Sequence, residues 1–518
     1  MSCAEIASFL AMTVFDKMKF NRYLTNLDSF IFACIGFYAI YLYTSYSGVG
    51  LSPDSLMYAS AAEHFKSHGN FVTFTGTPIT FFPVFYPLFL GIIDFVSRVN
   101  PVEAGAMINR FLFAAVVFTS GWIMERFLSH SRIYKWLILI AIIISPALLE
   151  IYSFLWSETL FILEVLFFII AFWKYTHTYS IKSLVVVAVI TAISCITRYA
   201  GVTVMGTGCL LILLESEISF RKKIIHEVIY GSISISLLVI NLVYNSLATG
   251  LSTGTREPSI TPFVKNLFYV GTVINDWGAL SNKADSYAVL VASVIMLALI
   301  GVLAWKTWKK RINSYENIVI AFAVVYGAFI IISASISRYE QINSRLLSPM
   351  FIPLLISCTS WMPDVTRSIH PKGWKYAVAG VGIVAMLLFE YSTVLVDYQR
   401  WDDESDYGVP GYSDDSWNKS EFAPYLKKHK DLFKPDVPIY SDANEAVWLC
   451  TGLNSQLVPH RYFQKDVDKF YAQKKFYVIW FDSLYNKELI SIRDIAAHRQ
   501  LKVIGGAKEG KVYLSEQR

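Results

Sequence analysis

Apolar runs long enough to cross a lipid bilayer recur along this chain, and no other feature constrains its fold as strongly. A helical span needs about 20 mostly apolar residues. Runs of that kind fall near residues 29–48, 107–125, 135–150, 157–174, 183–198, 200–215, 227–247, 286–305, 316–336, 346–363 and 376–396 of the 518. They predict a polytopic α-helical membrane protein with about eleven transmembrane helices. Composition agrees, at 54% hydrophobic and 16% charged residues, where ordinary soluble domains carry about 25% charge. The charge is unevenly placed, at about 12% of residues 1–396 and about 30% of residues 397–518. The chain therefore reads as a transmembrane domain over 1–396 followed by a small soluble α/β domain over 397–518.

The first run, Phe30 to Ser47, is longer than the apolar core of a secretory signal and reads as a retained span. Five of the six cysteines (Cys3, Cys34, Cys195, Cys209, Cys358) precede the soluble part and only Cys450 lies within it, so no disulfide framework is available there. No metal-ligand spacing or redox CxxC occurs. No cofactor is implied; a divalent metal is compatible with the chain, but no ligand cluster is evident. The formal net charge of +5 resides in membrane loops, because basic and acidic residues balance in the soluble part. Nucleic acid is not implied as a partner.

Placing the N-terminus in the cytoplasm fixes every loop by parity. The inner loops then hold Lys17, Lys19, Arg22, Arg126, Arg132, Lys135, Lys174, Lys182, Arg221, Lys222, Lys223, Lys306, Lys309, Lys310, Arg311, Arg367, Lys372 and Lys375. The positive-inside rule is met, and an odd number of spans puts the soluble domain on the outer face. Among the fewer basic residues left outside, arginine dominates: Arg98, Arg110, Arg198, Arg256, Arg338 and Arg345. Orientation needs only positive charge, whereas a planar guanidinium fork suits phosphate or carboxylate oxygens. The outer arginines therefore point to a bound anionic group, with pairing to local acids such as Glu103, Glu257 and Glu340 as the alternative.

The first outer loop is nearly sixty residues long, beyond the usual length of a structureless connection. Within it Ser52 and Pro53 predict a helix start and His68-Gly69-Asn70 a stop. Leu56, Met57, Ala59, Ala61 and Phe65 give this helix an apolar side, so it is expected to lie on the membrane. Asp54 and Tyr58 share a face four residues apart. A carboxylate at the interface can serve as a base, though an aspartate in a first helical turn also complements the helix dipole without chemistry. The segment Phe81-Phe82-Pro83-Val84-Phe85-Tyr86-Pro87 leads into a short apolar stretch, expected as a re-entrant or interfacial helix.

Further along, Ser157-Glu158 opens the fourth span, where Ser157 can cap the helix and Glu158 can serve its dipole. Arg198 sits at an outer turn between two spans, and a charge so closely flanked by apolar helix is a functional candidate by default. Arg338 to Pro349 connects two later spans on the same face, and Arg345 begins the tenth. Glu164 and Glu390 are intramembrane acids suited to a proton or ion path.

Taken in order, Asp54 and Tyr58 on an interfacial helix, Pro83-Tyr86-Pro87, Ser157-Glu158, Thr197-Arg198 and Arg345-Leu346-Leu347-Ser348-Pro349 resemble bacterial membrane glycosyltransferases of the GT-C class, over about the first 400 residues. The nearest group is that of the protein O-mannosyltransferases and lipid A aminoarabinose transferases. The resemblance implies an integral protein of the bacterial inner membrane that transfers a sugar from a polyprenyl-phosphate carrier to a glycan, lipid or protein acceptor on the outer face, usually with inversion. It implies Asp54 as the base, Glu158 as a second acid, Arg198, Arg345 and Arg338 as donor-phosphate ligands, and Tyr58, Glu63 and Tyr86 as substrate-lining residues. Two departures bear on the acceptor class: Asp54-Ser55 stands where mannosyltransferases have Asp-Glu, and Phe82-Pro83 where Pro-Pro is common. Two alternatives remain, a ligase that uses a lipid-linked oligosaccharide and a secondary transporter or flippase built on Glu164 and Glu390.

Past Gly408-Val409-Pro410-Gly411, strands are expected at 437–440, 476–481, 501–504 and 511–514, with a helix from Asp466 to Lys474. No nucleophile or phosphate-loop motif occurs there. An acceptor-recognition or lid role and a purely stabilising role are both open.

Overall fold

A computed structural model describes residues 25–254, 256–278, 282–310, 312–338, 340–369, 372–482 and 486–516. Cys3 and four of the inner basic residues, Lys17, Lys19, Arg22 and Arg311, lie outside the described residues. Among the described residues eight helices are long and apolar enough to cross a membrane: Leu27–Thr44, Pro101–Met124, Glu158–Thr178, Phe220–Thr249, Asp285–Trp308, Tyr315–Ile336, Ser344–Ser368 and Tyr376–Tyr407. A ninth arises if Arg132–Ile143 and Pro146–Ser153, bent by 49°, count as one span. The bend follows from Pro146, which cannot continue the preceding helix and starts a new one capped by Ser145. All eleven expected segments are helical. Two of them, within Ile181–Thr197 and Tyr199–Leu214, are shorter apolar helices, as is Phe85–Ser97 between the first two spans. The chain is an integral membrane protein.

The helix Pro53–His68 begins and ends where its cap residues predict. Ser52 and Ser55 form a reciprocal capping box, and Gly69 closes the helix in a left-handed conformation (φ 75°). Its apolar side, expected against lipid, is instead largely covered by protein: Leu56, Ala59 and Ala61 are buried and Met57 and Phe65 half-buried. The cover includes helix Phe85–Ser97, whose Gly91 sits so close that a Cβ there would meet Phe65 at 3.1 Å and the Ala62 carbonyl at 3.2 Å. A further helix, Phe263–Trp277, occupies the long loop before the eighth segment. At 15 residues, with Asn266 and Asn275 among its own buried residues, it lacks the unbroken apolar run that marks a span.

The last long helix runs from Lys372 to Tyr407 and carries the chain past the boundary expected at residue 396. The rise in charge at 397 therefore falls within the helix and does not mark its end. Arg400 and Glu404 pair at 2.6 Å one turn apart, and Arg400 also donates to the Pro146 carbonyl at 3.2 Å. The helix stops at Gly408, in the left-handed region (φ 88°).

Beyond it lies a five-stranded sheet of β1 (Ile439–Ser441), β2 (Gln456–Leu457), β3 (Lys475–Phe481), β4 (Gln500–Ala507) and β5 (Gly510–Glu516), in the order β2-β1-β3-β5-β4. β1 runs parallel to β2 and β3, and β5 pairs antiparallel with β3 and β4. Alternation along β3 gives each face its own core. Tyr477, Ile479 and Phe481 pack with Phe422, Leu426 and Val447, while Phe476 and Val478 pack with Tyr440, Phe470 and Ile495.

Asp442, just after β1, accepts the Phe481 N–H at 3.0 Å. Burial pushes its carboxyl up to about 7. A raised folded-state value means that the folded protein holds the proton more tightly than the unfolded chain does. The stability this confers is therefore fullest below the ordinary carboxylate range and is lost as pH rises through about 7. Asp442→Asn keeps the acceptor and removes the charge. Its gain in melting temperature should be small at pH 4 and larger at pH 8; an equal gain at both would exclude this origin.

Candidate active site

Two carboxylates are brought together by a register far apart in sequence. Gly50 and Phe154 form a parallel bridge, with Gly50 N–H donating to Ser153 O at 2.7 Å and Leu155 N–H to Gly50 O at 3.1 Å. Four residues beyond each bridge partner an acid occupies the first turn of a helix: Asp54 in Pro53–His68 and Glu158 in Glu158–Thr178. The bridge thus sets two helix N-termini side by side, and each acid complements its own helix dipole. Arg345 enters from a third direction, in a turn capped by Asn343, whose side chain accepts the Leu346 N–H at 3.0 Å. Arg198 comes from the extended residue that ends Ile181–Thr197.

The four charges form one network. Arg345 donates through Nη2 to Asp54 at 2.6 Å and through Nε to Glu158 at 2.8 Å. Arg198 pairs with the other Glu158 oxygen at 2.6 Å and donates to Ser157 Oγ at 2.8 Å. The Trp156 ring lies 4.1 Å from the Arg345 guanidinium carbon, and its indole N–H donates to Ser52 Oγ at 2.7 Å. This ties the arginine's platform to the cap of the Asp54 helix. Side-chain exposure separates the roles open to the two acids: 27% for Asp54 and 0% for Glu158. Glu158 organises the arginines from beneath, and Asp54 faces outward.

A cavity of about 410 Å³ opens on this network. Its lining includes Asp54, Glu158, Arg198, Arg345, Arg256 and Glu340, together with Phe81, Phe82, Phe329 and Ile330. Arg256 makes no ion pair among the described residues; its guanidinium lies 5.9 Å from the Tyr199 ring. A cavity lined by both charged and apolar side chains suits an amphiphile with an anionic head. Among the described residues no three His, Cys, Asp or Glu side chains converge as a metal-ligand set.

The sequence candidates divide on geometry. Asp54, Glu158, Arg198 and Arg345 meet. Tyr58 contacts them through Ser157 Oγ at 3.2 Å. Burial, then the charges of Asp54 and Glu158, holds its hydroxyl far above the usual range, so it stays a neutral phenol. Tyr86 packs edge-on against Tyr58 at 5.0 Å and does not line the cavity. Glu63 is turned away, accepting from Asn100, and burial raises its carboxyl. Arg338 is also elsewhere. It pairs with Glu257 at 3.0 Å and reaches Glu488 at 4.0 Å, because its backbone is zipped to the loop through Glu257 O. Ser157 does not cap its helix; its hydroxyl is spent on Arg198 and Tyr58. Glu164 accepts from Thr197 at 2.8 Å, and neither it nor Glu390 lines the cavity. Arg256 carried the same outer-arginine signal as Arg338, and only the fold shows which of the two lines the cavity.

No protein-family model matches the chain, and no curated protein matches it by sequence. The fold does have solved counterparts. ArnT from Cupriavidus metallidurans in the apo state gives a TM-score of 0.56 at 12% identity, covering 93% of this chain and 97% of that one. The same protein bound to undecaprenyl phosphate gives 0.57 at 11% identity, with the same coverage. The Archaeoglobus fulgidus oligosaccharyltransferase, in complex with Zn and sulfate, gives 0.55 at 12% identity, covering 87% of this chain and 67% of that one. With its apolar helices, its small sheet and this likeness, the chain has the fold of the GT-C membrane glycosyltransferases.

Proposed function

We propose that the protein is a membrane glycosyltransferase that moves a sugar from a polyprenyl-phosphate donor to an acceptor hydroxyl at the outer face of the membrane, with inversion. The observation that carries this reading is the half-buried Asp54 carboxylate, paired with Arg345 and lining, with Arg198, a cavity that also has apolar residues in its wall. The undecaprenyl phosphate bound by the structurally similar ArnT supports the donor class. The proposed topology has eleven spans, a cytoplasmic N-terminus and an outer C-terminal domain, and the excess of basic residues in the assigned inner loops supports it.

In the proposed reaction the acceptor oxygen attacks the anomeric carbon while the bond from that carbon to the phosphate oxygen breaks. Asp54 takes the hydroxyl proton, and the departing electron pair resides on polyprenyl phosphate. Arg198, Arg345 and Arg256 meet the charge that develops there; preorganised donors at such a position are worth several kcal/mol in a site shielded from water. Arg345 is engaged by two carboxylates and Arg198 by one, whereas Arg256 makes no ion pair among the described residues. Arg256 is therefore assigned first contact with the incoming phosphate, and Arg338 is released from the role expected of it.

Incubation with a panel of radiolabelled polyprenyl-phosphate hexoses, pentoses and amino sugars should show one donor consumed and polyprenyl phosphate released. Consumption of none would end the reading and favour a transporter built on Glu164 and Glu390. Arg256→Ala should weaken donor binding about tenfold to 100-fold, the worth of a hydrogen bond to a charged group. Arg338→Ala should leave it unchanged, and the reverse ranking would overturn the assignment.

A further inference from the structure

The segment that joins the last long helix to the C-terminal sheet lies against the strand that leads into Asp54. Gly50 and Leu51 spend all four of their backbone polar groups, and they do so in two directions. On one side Gly50 bonds to Ser153 and Leu155. On the other, Leu51 N–H donates to Ser413 Oγ at 3.2 Å, and Leu51 O accepts from Tyr412 N–H at 2.8 Å. Val409 N–H donates to Ser47 Oγ at 2.9 Å, and the Val409 side chain is fully buried.

The approach leaves no space. A Cβ on Gly50 would lie 2.5 Å from Val409 Cγ1 and 2.7 Å from the Phe154 ring. Gly411, in the left-handed region (φ 109°), approaches until a Cβ there would lie 2.4 Å from Leu51 O. Residues 47–51 are thus the middle ply of three, between 153–155 and 408–413. Ser52, the cap of the Asp54 helix, follows Leu51 directly. At its other side the loop is fastened to the sheet domain by Ser455 N–H on Phe74 O at 3.0 Å.

We infer that the 408–413 strap positions Asp54, so that the C-terminal domain completes the transfer site although it supplies none of the charges lining the cavity. Two plies fix the register of Asp54 against Glu158, and the third fixes how far Leu51, and with it the first turn of the helix, sits from Arg345. A base must lie within about 2.6–3.2 Å of the proton it removes, and a misplacement of 1 Å costs on the order of 100-fold in rate. Gly411, Ser413 and Val409 are accordingly positioning residues. The inference rests on the reading of Asp54 as the base.

The test compares Gly411→Ala with Gly452→Ala in the full-length protein. Gly452 is also left-handed (φ 72°), but a Cβ there meets nothing within 4 Å, so that variant carries backbone strain without displacing Leu51. Gly411→Ala should lower kcat on the order of 100-fold with donor KM unchanged. Gly452→Ala should leave both unchanged. Ser413→Thr, which keeps the hydroxyl, should retain more activity than Ser413→Ala. Amide exchange in residues 47–60, followed by mass spectrometry, reads the strap independently of activity. It should quicken in Gly411→Ala and not in Gly452→Ala. Unchanged exchange and kcat in Gly411→Ala would overturn the strap, as would equal losses in the two glycine variants. A wild-type protein that consumes no donor, with exchange responding as expected, would overturn the enzymatic reading and leave the clasp standing.

Discussion

Asp54→Asn is expected to lower sugar transfer by about 10²–10⁴-fold, the usual worth of a positioned base, while the protein still folds, inserts and binds its donor. Asparagine has nearly the same shape and its side-chain oxygen can still accept from Arg345 Nη2, so the ion pair at 2.6 Å becomes a hydrogen bond from the charged guanidinium to an uncharged oxygen. Glu158 continues to hold Arg345 at 2.8 Å and Arg198 at 2.6 Å, and both arginines keep a carboxylate partner. Asp54 is also the most exposed of the four charges, so losing its charge costs folding little. What the amide lacks is a basic lone pair for the acceptor proton. Single-turnover transfer and polyprenyl-phosphate binding, measured on the same preparation, separate these effects. Full transfer activity would remove Asp54 from the mechanism, and lost binding would make it a ligand of the donor instead.

The four residues that meet at the cavity share a signal readable in the linear chain: a charge that interrupts or borders an apolar helix on the outer side must be satisfied by something. That signal finds Asp54, Glu158, Arg198 and Arg345, but it does not name the partner. Arg338 and Glu63 carry the same signal and are satisfied elsewhere, by Glu257 and Asn100, through contacts 81 and 37 residues apart in sequence. The Gly50 to Phe154 bridge is equally non-local, and nothing in Ser47 to Ser52 announces a segment held between two others. Composition marks where charge rises along the last long helix and not where that helix ends. Hydropathy reports where a segment leaves apolar surroundings, whereas Gly408 reports where the backbone turns. The amphipathic Pro53–His68 helix was legible in its caps and not in its surroundings. An apolar face is the same pattern whether lipid or protein covers it, and here helix Phe85–Ser97 helps to cover it.

Glu158→Ala is expected to be the most destabilising single change at the site. The carboxylate is fully buried and is the counter-charge shared by Arg198 and Arg345, whose side chains are 15% and 14% exposed. Breaking a buried ion pair from one side leaves an uncompensated charge and typically costs about 3–5 kcal/mol. Here one truncation removes the carboxylate that Arg198 pairs with, leaving it the Ser157 hydroxyl, and leaves Arg345 only Asp54. The cost should show as a lower unfolding temperature in detergent than that of wild type or Asp54→Asn. If the two arginines also hold the donor phosphate, an anion can replace what Glu158 supplied. Millimolar inorganic phosphate or added polyprenyl phosphate should therefore recover more of the unfolding temperature in Glu158→Ala than in wild type. The double variant Glu158→Ala with Arg198→Met should recover stability without any anion, because it removes the stranded charge itself, and it should not recover transfer. A Glu158→Ala protein as stable as wild type would show that the arginines find water or other partners. Recovery in the double variant without any response to phosphate would leave Glu158 a structural counter-ion and take Arg198 and Arg345 out of donor binding.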